Sequence, residues 1–294
     1  MGEDTPITVR PRRSCLYMPG DKPRALEKAT GLPADLLILD LEDAVAPAAK
    51  DDARVLVCQT VASRPFGSRE VVIRVNGLDS EWAERDVREA VGSYPDGVLF
   101  PKISTADDVA TADRLMTEAG AGQQMVLWAM IETPLAILNL KEIAAASGNT
   151  RLGGFVVGTN DLAKETGARM TSNRMAFATA LSLTVAAARA YGLAAIDGVF
   201  NALDDAQGFE AECKQGRDLG FEGKSLIHPS QIDAANRVFA PDPQEVQRAH
   251  DIVAAFALPE NTGKGVITVG GAMVERLHWE QAKRLIALDE AISA

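Results

Sequence analysis

The sequence predicts an α/β protein: a closed (βα)8 barrel of the TIM type with a C-terminal helical lid or oligomerisation extension. Three observations predict it. Eight short Val/Ile/Leu-rich runs recur along the chain, their starts 21 to 40 residues apart, which is the length of a strand plus a helix. Most of these runs stay apolar instead of alternating with polar residues, as strands covered on both faces do. Between them lie amphipathic segments, several opened by Ser, Thr or Asp and closed by Gly. A doubly wound open sheet is the competing fold, weakened because no G-x-G-x-x-G follows the first run, where a dinucleotide-binding sheet carries its phosphate loop.

The elements follow in order. SCLYMPG (14–20) reads as the first strand, stopped by Pro-Gly, and DLLILDLED (35–43) as the second, an apolar run that ends in acids. EVVIRVN (70–76) places three β-branched residues before Arg74, and Ser80 then opens a helical pattern over 80–94. GVLFPKI (97–103) leads into a helix over 105–120, capped by Thr105 and closed by Gly120. VLWAMIE (126–132) and GFVVGTND (154–161) are the fifth and sixth strands. A helix over 175–192 separates the sixth from AAIDGVF (194–200), and another over 203–220 precedes GKSLIHP (223–229). The domain reading is a barrel over 1–240 and an extension over 241–294, in which the Gly-rich GKGVITVGGAM (263–273) is a hinge between helices over 244–257 and 274–292.

Composition narrows the function classes. A formal charge of −11 argues against nucleic acid as a partner, since phosphate backbones require a basic face. Three cysteines, an odd count without a C-x-x-C pair, indicate neither a disulfide framework nor a thiolate zinc site. No apolar run approaches the ~20 residues of a membrane span, and the N-terminus MGEDTPITVRPRR lacks the apolar core of a signal peptide, so a cytoplasmic protein without membrane contact is expected. Arg10, Arg12, Arg13, Lys22 and Arg24 form a local basic cluster, read either as a solvated segment or as a dock for a phosphate-bearing ligand.

Charge gathers where the strands end: Glu42 and Asp43, Arg74 and Asn76, Lys102, Glu132, Asn160 and Asp161, Asp197 and His228. In a barrel these positions share the face that carries catalysis. Glu132 and Asp161, 29 residues apart, read as carboxylate ligands of a divalent metal, with Mg2+ preferred over Ca2+ because two carboxylates leave room for waters and substrate oxygens. The alternative is a pair of carboxylates salt-bridged to Arg74 and Lys102. Arg74 itself reads either as a bidentate grip on a substrate carboxylate or as the counter-charge of Glu42 or Asp43. Lys102 is a Schiff-base candidate or, more simply, a salt-bridge partner.

The blocks RSCLYMPGDKPRALEKA (13–29), DLLILDLEDAVAPAAKDDAR (35–54), VVIRVNGLDS (71–80), GVLFPKI (97–103), MIETPLAI (130–137), GTNDLA (158–163) and GFEGKSLIHPSQI (220–232), in this order, resemble the citrate lyase beta subunit-like family, which includes malyl-CoA and citramalyl-CoA lyases. The resemblance covers nearly the whole chain. It implies a TIM barrel in trimers or larger homo-oligomers such as hexamers, with Mg2+ on Glu132 and Asp161 and a substrate carboxylate on Arg74. It further implies that Glu42 and Asp43 form the acidic pair beside the metal, and that coenzyme A is received at the first block, with Arg13, Tyr17, Lys22 and Arg24. Glu132, Gly158 and Asn160 then complete the substrate site, the last two through backbone N–H groups. The expected reaction is Mg2+-dependent carbon–carbon cleavage or formation of a 3-hydroxyacyl-CoA, giving a small oxo acid plus acyl-CoA. The alternatives are an acyl-CoA thioesterase and a non-catalytic, subunit-type acyl-CoA binder. One departure counts: many relatives carry Asp-Gly-Lys-Met in the C-terminal lid, where this chain reads Gly270-Gly271-Ala272-Met273.

Overall fold

A computed structural model describes residues 9–293; residues 1–8, part of the stretch read for a targeting signal, lie outside the described residues. The chain divides into two compact units, Arg12–Phe239 and one containing the residues from Ala240 on. The first is a closed barrel of eight parallel strands in sequential order. Its strands are β1 (Ser14–Pro19), β2 (Leu36–Asp40), β3 (Glu70–Arg74), β4 (Gly97–Phe100), β5 (Val126–Ile131), β6 (Leu152–Val157), β7 (Ala194–Asp197) and β8 (Gly223–Leu226). The helices that return the chain are α1 (Pro23–Ala29), α2 (Lys50–Ala62), α3 (Ala83–Gly92), α4 (Ala106–Glu118), α5 (Pro134–Leu138), α6 (Leu140–Ala145), α7 (Thr159–Thr166), α8 (Ala178–Ala190), α9 (Ala206–Leu219) and α10 (Ile232–Val238). This is the TIM barrel that the spacing of apolar runs predicts.

Local chemistry accounts for several boundaries. α4 starts in a capping box, in which the Thr105 hydroxyl accepts from Asp108 N and the Asp108 carboxylate accepts from Thr105 N. α9 is capped by Asp205, which accepts from Gly208 N, and ends on Gly220 at φ 99°, the left-handed region that favours glycine. Every strand stops one to four residues before its predicted run does. Glu42, Asp43, Asn76, Lys102 and Glu132 therefore lie just past their strands, and Asn160 and Asp161 lie in the first turn of α7 rather than on β6.

Alternation along each strand sorts the side chains. Cys15, Leu36, Ile38, Val72, Leu99, Trp128, Met130, Val156 and Ile196 point inward and fill the barrel, with Tyr17 packed against them. Their neighbours, such as Leu37, Leu39, Val71 and Ile73, point outward into the layer shared with the helices. Each fully buried Leu, Ile or Val in these layers contributes about 1.5–3 kcal/mol relative to exposure. The same period of two continues past the apolar residues: Asp40 lies on the face of Ile38, and Arg74 on the face of Val72.

The second unit comprises α11 (Pro243–Ala257), the antiparallel pair β9 (Val266–Val269) and β10 (Ala272–Glu275), and α12 (Arg276–Ser293), around Ala249, Ile252, Phe256, Ile267, Val274 and Ala282. The Gly-rich segment expected to be a hinge is therefore a β-hairpin. Its two-residue turn places Gly270 at φ 57° and Gly271 at φ 81°, a pair of positive φ values that suits the right-handed twist of the flanking strands and disfavours a side chain at either position. Among the described residues, no helix is long and apolar enough to cross a membrane.

Candidate active site

A cavity of ≈ 360 Å³ opens over the C-terminal ends of the barrel strands, lined among others by Tyr17, Asp40, Asp43, Arg74, Met130, Glu132, Gly158, Thr159, Asn160, Asp161 and Ser225. Arg74 enters it from the end of β3. Asp40 and Arg74 are paired partners at the ends of β2 and β3. The guanidinium donates from Nε to Asp40 Oδ1 at 2.7 Å and from Nη2 to Asp40 Oδ2 at 2.6 Å, with its Cζ 4.9 Å from the centre of the Tyr17 ring. Burial works against the charge of Arg74, but Asp40, Tyr17 and Glu42 outweigh it and keep the group firmly protonated. One edge of the fork is thus taken by Asp40, and Nη1 already donates to Met130 Sδ at 3.7 Å and lies 2.7 Å from Glu42 Oε2, so a ligand in the cavity would share Nη1 with these groups and find the second Nη2 proton beside it. Asp40, which the reading of strand ends passed over, is its principal partner. The signal that would have found it is its place two residues after the inward-facing Ile38.

Glu42 stands beside this pair. Its Oε1 accepts from Lys102 Nζ at 3.2 Å, and its Oε2 lies 2.7 Å from Arg74 Nη1 but outside hydrogen-bond geometry. Oε2 is buried and has no hydrogen-bond partner among the described residues. Burial raises the pKa of Glu42, Arg74 opposes the rise, and Asp43 adds to it. Asp43, more exposed, is 3.7 Å from Arg74 Nη1.

Glu132 is 1 % exposed, and its Oε1 accepts the backbone N–H of Lys102 at 2.7 Å. Lys102 makes this contact from a left-handed backbone, φ 57°, unusual for a residue with a side chain. Burial is the main force that lifts Glu132 to a pKa of about 8; the Lys102 N–H pulls it down, while Glu42 and Asp161 push it up. Such a carboxylate ionises readily only when a positive charge joins it. Asp161 lines the same cavity from the first turn of α7. The described residues contain no group of three or more His, Cys, Asp or Glu arranged to hold a metal ion. Glu132 and Asp161 therefore offer two hard oxygen donors and leave the remaining positions to water and ligand oxygens, the usual habit of Mg2+. The donor set fits that ion.

The other expected site residues divide between the cavity, where Tyr17 and Asn160 lie, and other parts of the barrel. Arg13 precedes β1, at the opposite end of the barrel, where it grips Asp35 through Nε and Nη2 at 2.8 Å each. A six-residue strand, ~20 Å long, separates it from Lys22 and Arg24, the other basic residues expected to meet coenzyme A. Lys22 and Arg24 are exposed beyond β1, Lys22 paired with Asp21 at 2.7 Å. Tyr17 lies inside the barrel on the floor of the cavity, its hydroxyl 3.9 Å from Met130 Sδ. Asn160 is exposed at the rim and exchanges hydrogen bonds with Asn201, the shorter 2.7 Å. Asp197, read as a mouth residue, points outward instead. It is fully buried against Arg174 at 2.7 Å and Lys224 at 3.1 Å, and Lys224 also reaches Glu212 at 2.7 Å. His228 caps a short helical turn, its Nδ1 accepting from Ser230 N.

Known proteins share this architecture. The chain is 49% identical over 286 residues to a (3S)-malyl-CoA thioesterase of Cereibacter sphaeroides, with 97% of each chain covered. It is 36% identical to the citrate lyase subunit beta of Leuconostoc mesenteroides, over 96% of this chain and 94% of that one. The crystal structure of the CitE protein of Mycobacterium tuberculosis, in complex with magnesium, acetoacetate and coenzyme A, superposes with a TM-score of 0.73 at 27% identity, covering 94% of this chain and 97% of that one. The family model described as HpcH/HpaI aldolase/citrate lyase matches residues 13–229, from the threshold of β1 to just past β8. With its whole barrel matched and its relatives aligned end to end, the chain belongs to the HpcH/HpaI aldolase/citrate lyase family.

Proposed function

We propose that this chain is a divalent-cation-dependent enzyme that hydrolyses a malyl-CoA-type 3-hydroxyacyl thioester to free coenzyme A and the hydroxy acid. The observation that carries the reading is electrostatic. Asp40, Asp43, Glu132 and Asp161 line one cavity with Arg74 as the one cation among its lining residues, and the neighbouring Glu42 is paired to Arg74 and Lys102, an excess of negative charge that calls for a cation. Glu132 and Asp161 would hold Mg2+, which supplies Lewis acidity towards ligand oxygens. The Nη1 and Nη2 protons of Arg74 that do not bind Asp40 take the substrate carboxylate in place of the long Met130 Sδ contact, and backbone N–H groups of Gly158 and Asn160 orient it. Glu42, with one oxygen unpartnered and a raised pKa, is the base: it accepts a proton from the attacking water as the new carbon–oxygen bond forms, the carbon–sulfur bond breaks, and the leaving thiolate takes up a proton. Asp43 adds negative charge beside it. Lys22 and Arg24 meet the phosphates of coenzyme A.

Gly270 in place of the lid acid disfavours hydrolysis. The similarity to a protein named as a thioesterase over 97% of this chain, hairpin included, outweighs that departure. Carbon–carbon cleavage is the second reading, favoured by the similarity to the citrate lyase subunit beta. In it Glu42 removes the proton of the 3-hydroxyl, the bond between the two carbons breaks to give an oxo acid and the enolate of the acyl-CoA, and the enolate carbon takes up a proton, from Glu42 or from water, to give the acyl-CoA. A homo-oligomer, trimer or hexamer, belongs to the same proposal and is tested by light scattering. The deciding experiment incubates the purified protein with malyl-CoA, citramalyl-CoA and citryl-CoA, with and without EDTA. Free thiol without oxo acid supports hydrolysis, oxo acid without free thiol supports cleavage, and turnover that survives EDTA refutes the cation-dependent reading.

A further inference from the structure

Bound to the backbone of Glu42, and not among the residues that line the cavity, is a lysine that the proposed chemistry does not use. Lys50, the first residue of α2, is 6 % exposed, and its ammonium donates to Leu41 O at 2.8 Å, Glu42 O at 2.7 Å and Asn76 Oδ1 at 2.6 Å. All three of its protons are thereby used. The ammonium also lies 5.4 Å from the centre of the Trp82 ring, so its one remaining side faces an aromatic surface. Asn76 is held in turn: its Nδ2 donates to Leu41 O at 3.0 Å and to Asp86 Oδ2 at 2.6 Å, while Asp86 Oδ1 accepts from the buried Arg54 Nε at 2.6 Å.

The turn at residues 41–42 is thus fixed from both directions. Its amides are bound by groups of the cavity, Leu41 N by Arg74 O at 2.9 Å and Glu42 N by Asp40 Oδ1 at 2.9 Å. Its carbonyls are bound by one buried charge. A buried ammonium is costly unless every proton finds an acceptor, and here two of the three acceptors are the peptide carbonyls that flank and belong to the proposed base. We infer that Lys50 is a positioning residue for Glu42: by clamping the carbonyls of Leu41 and Glu42 it sets where the Glu42 carboxylate stands against Arg74 and Lys102. The inference rests on the proposed role of Glu42 and names a residue that touches neither substrate nor cation.

The test is Lys50→Met, which keeps the length and apolar stem but removes all three donors, read by two measurements. Hydrogen exchange of the peptide spanning 41–46 is expected to accelerate at least tenfold, while a peptide spanning 157–162 on the far side of the cavity keeps its wild-type rate. Turnover of malyl-CoA is expected to lose kcat by about 10–100-fold with KM within about threefold, the effect typical of removing a group that orients a site residue. Faster exchange in both peptides, with kcat reduced only in proportion to the folded fraction, would mean a merely structural role and would overturn the inference. So would a kcat within twofold of wild type. If Lys50→Met does not fold, Lys50→Arg keeps charge and bulk but spreads its donors over a plane, so they cannot converge on three acceptors; it is expected to show the same pattern more weakly, and wild-type behaviour in it counts equally against the clamp. A wild-type protein inactive on all three thioesters would sink the proposed function, while the exchange measurement alone would still decide whether Lys50 holds the turn.

Discussion

Gly158→Ala adds a single methyl group at the point where β6 meets the proposed cation site. Gly158 has φ −101° and ψ 80°, on the side of conformational space open to an alanine, so the backbone itself raises little objection. Space does. A Cβ at this position would lie 2.2 Å from Glu132 Oε2 and 2.5 Å from Glu132 Cβ, where ordinary contact begins at 3.4 Å. The oxygen must therefore retreat 1.2 Å, the difference between 3.4 and 2.2 Å, and because Glu132 Cβ cannot rotate away, the ends of β5 and β6 must also part. Overpacking of this kind costs about 1–3 kcal/mol of stability. Metal–ligand distances tolerate only about 0.2 Å, so a shift of this size predicts a loss of divalent-cation affinity of about 10–100-fold, or roughly 1.4–2.8 kcal/mol. Calorimetric titration with Mn2+ and Mg2+ measures the affinity, and thermal unfolding confirms that the variant is folded at the temperature used. A folded Gly158→Ala protein that binds Mn2+ within twofold of wild type would refute the reasoning, because Glu132 would then not be the ligand its surroundings indicate.

Other perturbations have equally definite outcomes. Lys224→Met leaves Asp197 and Glu212 buried with Arg174 as the remaining counter-charge and is expected to lower unfolding stability by about 3–5 kcal/mol, read from the urea midpoint. Burial alone would raise the pKa of Asp197, but Lys224 and Arg174 outweigh it and hold the carboxyl below its ordinary value; its contribution to stability is therefore present above the unfolded pKa of about 3.9 and is lost as pH falls through the lower folded value. Asp197→Asn should consequently show a shallower loss of stability in acid than wild type, measured by denaturation between about pH 5 and pH 2. Arg74→Lys cannot span both oxygens of Asp40 and still face the cavity from Nη1, so kcat/KM for the preferred thioester should fall about 100-fold, equivalent to about 2.7 kcal/mol. Lys102→Gly keeps the N–H that binds Glu132 and relieves a side chain held at φ 57°, so unfolding stability should rise by about 1 kcal/mol while the Lys102–Glu42 pair is lost.

The barrel was legible in the sequence because its signal is local: apolar runs of strand length, each followed by a capped amphipathic segment, recur eight times. Identity along the chain was also enough to pick out Glu132, Asp161 and Arg74, since an acid or a guanidinium at the end of an apolar run is conspicuous. Facing direction was harder. Asp197 ends an apolar run just as Arg74 does, yet Ile196 points into the barrel, so Asp197 turns outward to Lys224. Asp40 lies inside the run DLLILDLED but ends β2, because the strand stops three residues earlier than the apolar pattern and its acids together imply. Arg13 and Lys22 are near neighbours in sequence, but β1 runs between them and carries them to opposite ends of the barrel.

What the sequence by itself determined was the architecture and the chemical inventory: a parallel barrel whose strand ends carry hard oxygen donors and one arginine. Tertiary structure decided which of those charges meet. Arg74 closes on Asp40 across 34 residues, Arg13 on Asp35 across 22 and Lys224 on Asp197 across 27. Each pairing depends on strand register and on which side of the pleat a residue occupies. A shift of one residue would reverse the face of every side chain on the strand, and so exchange the groups that line the cavity with those buried behind it.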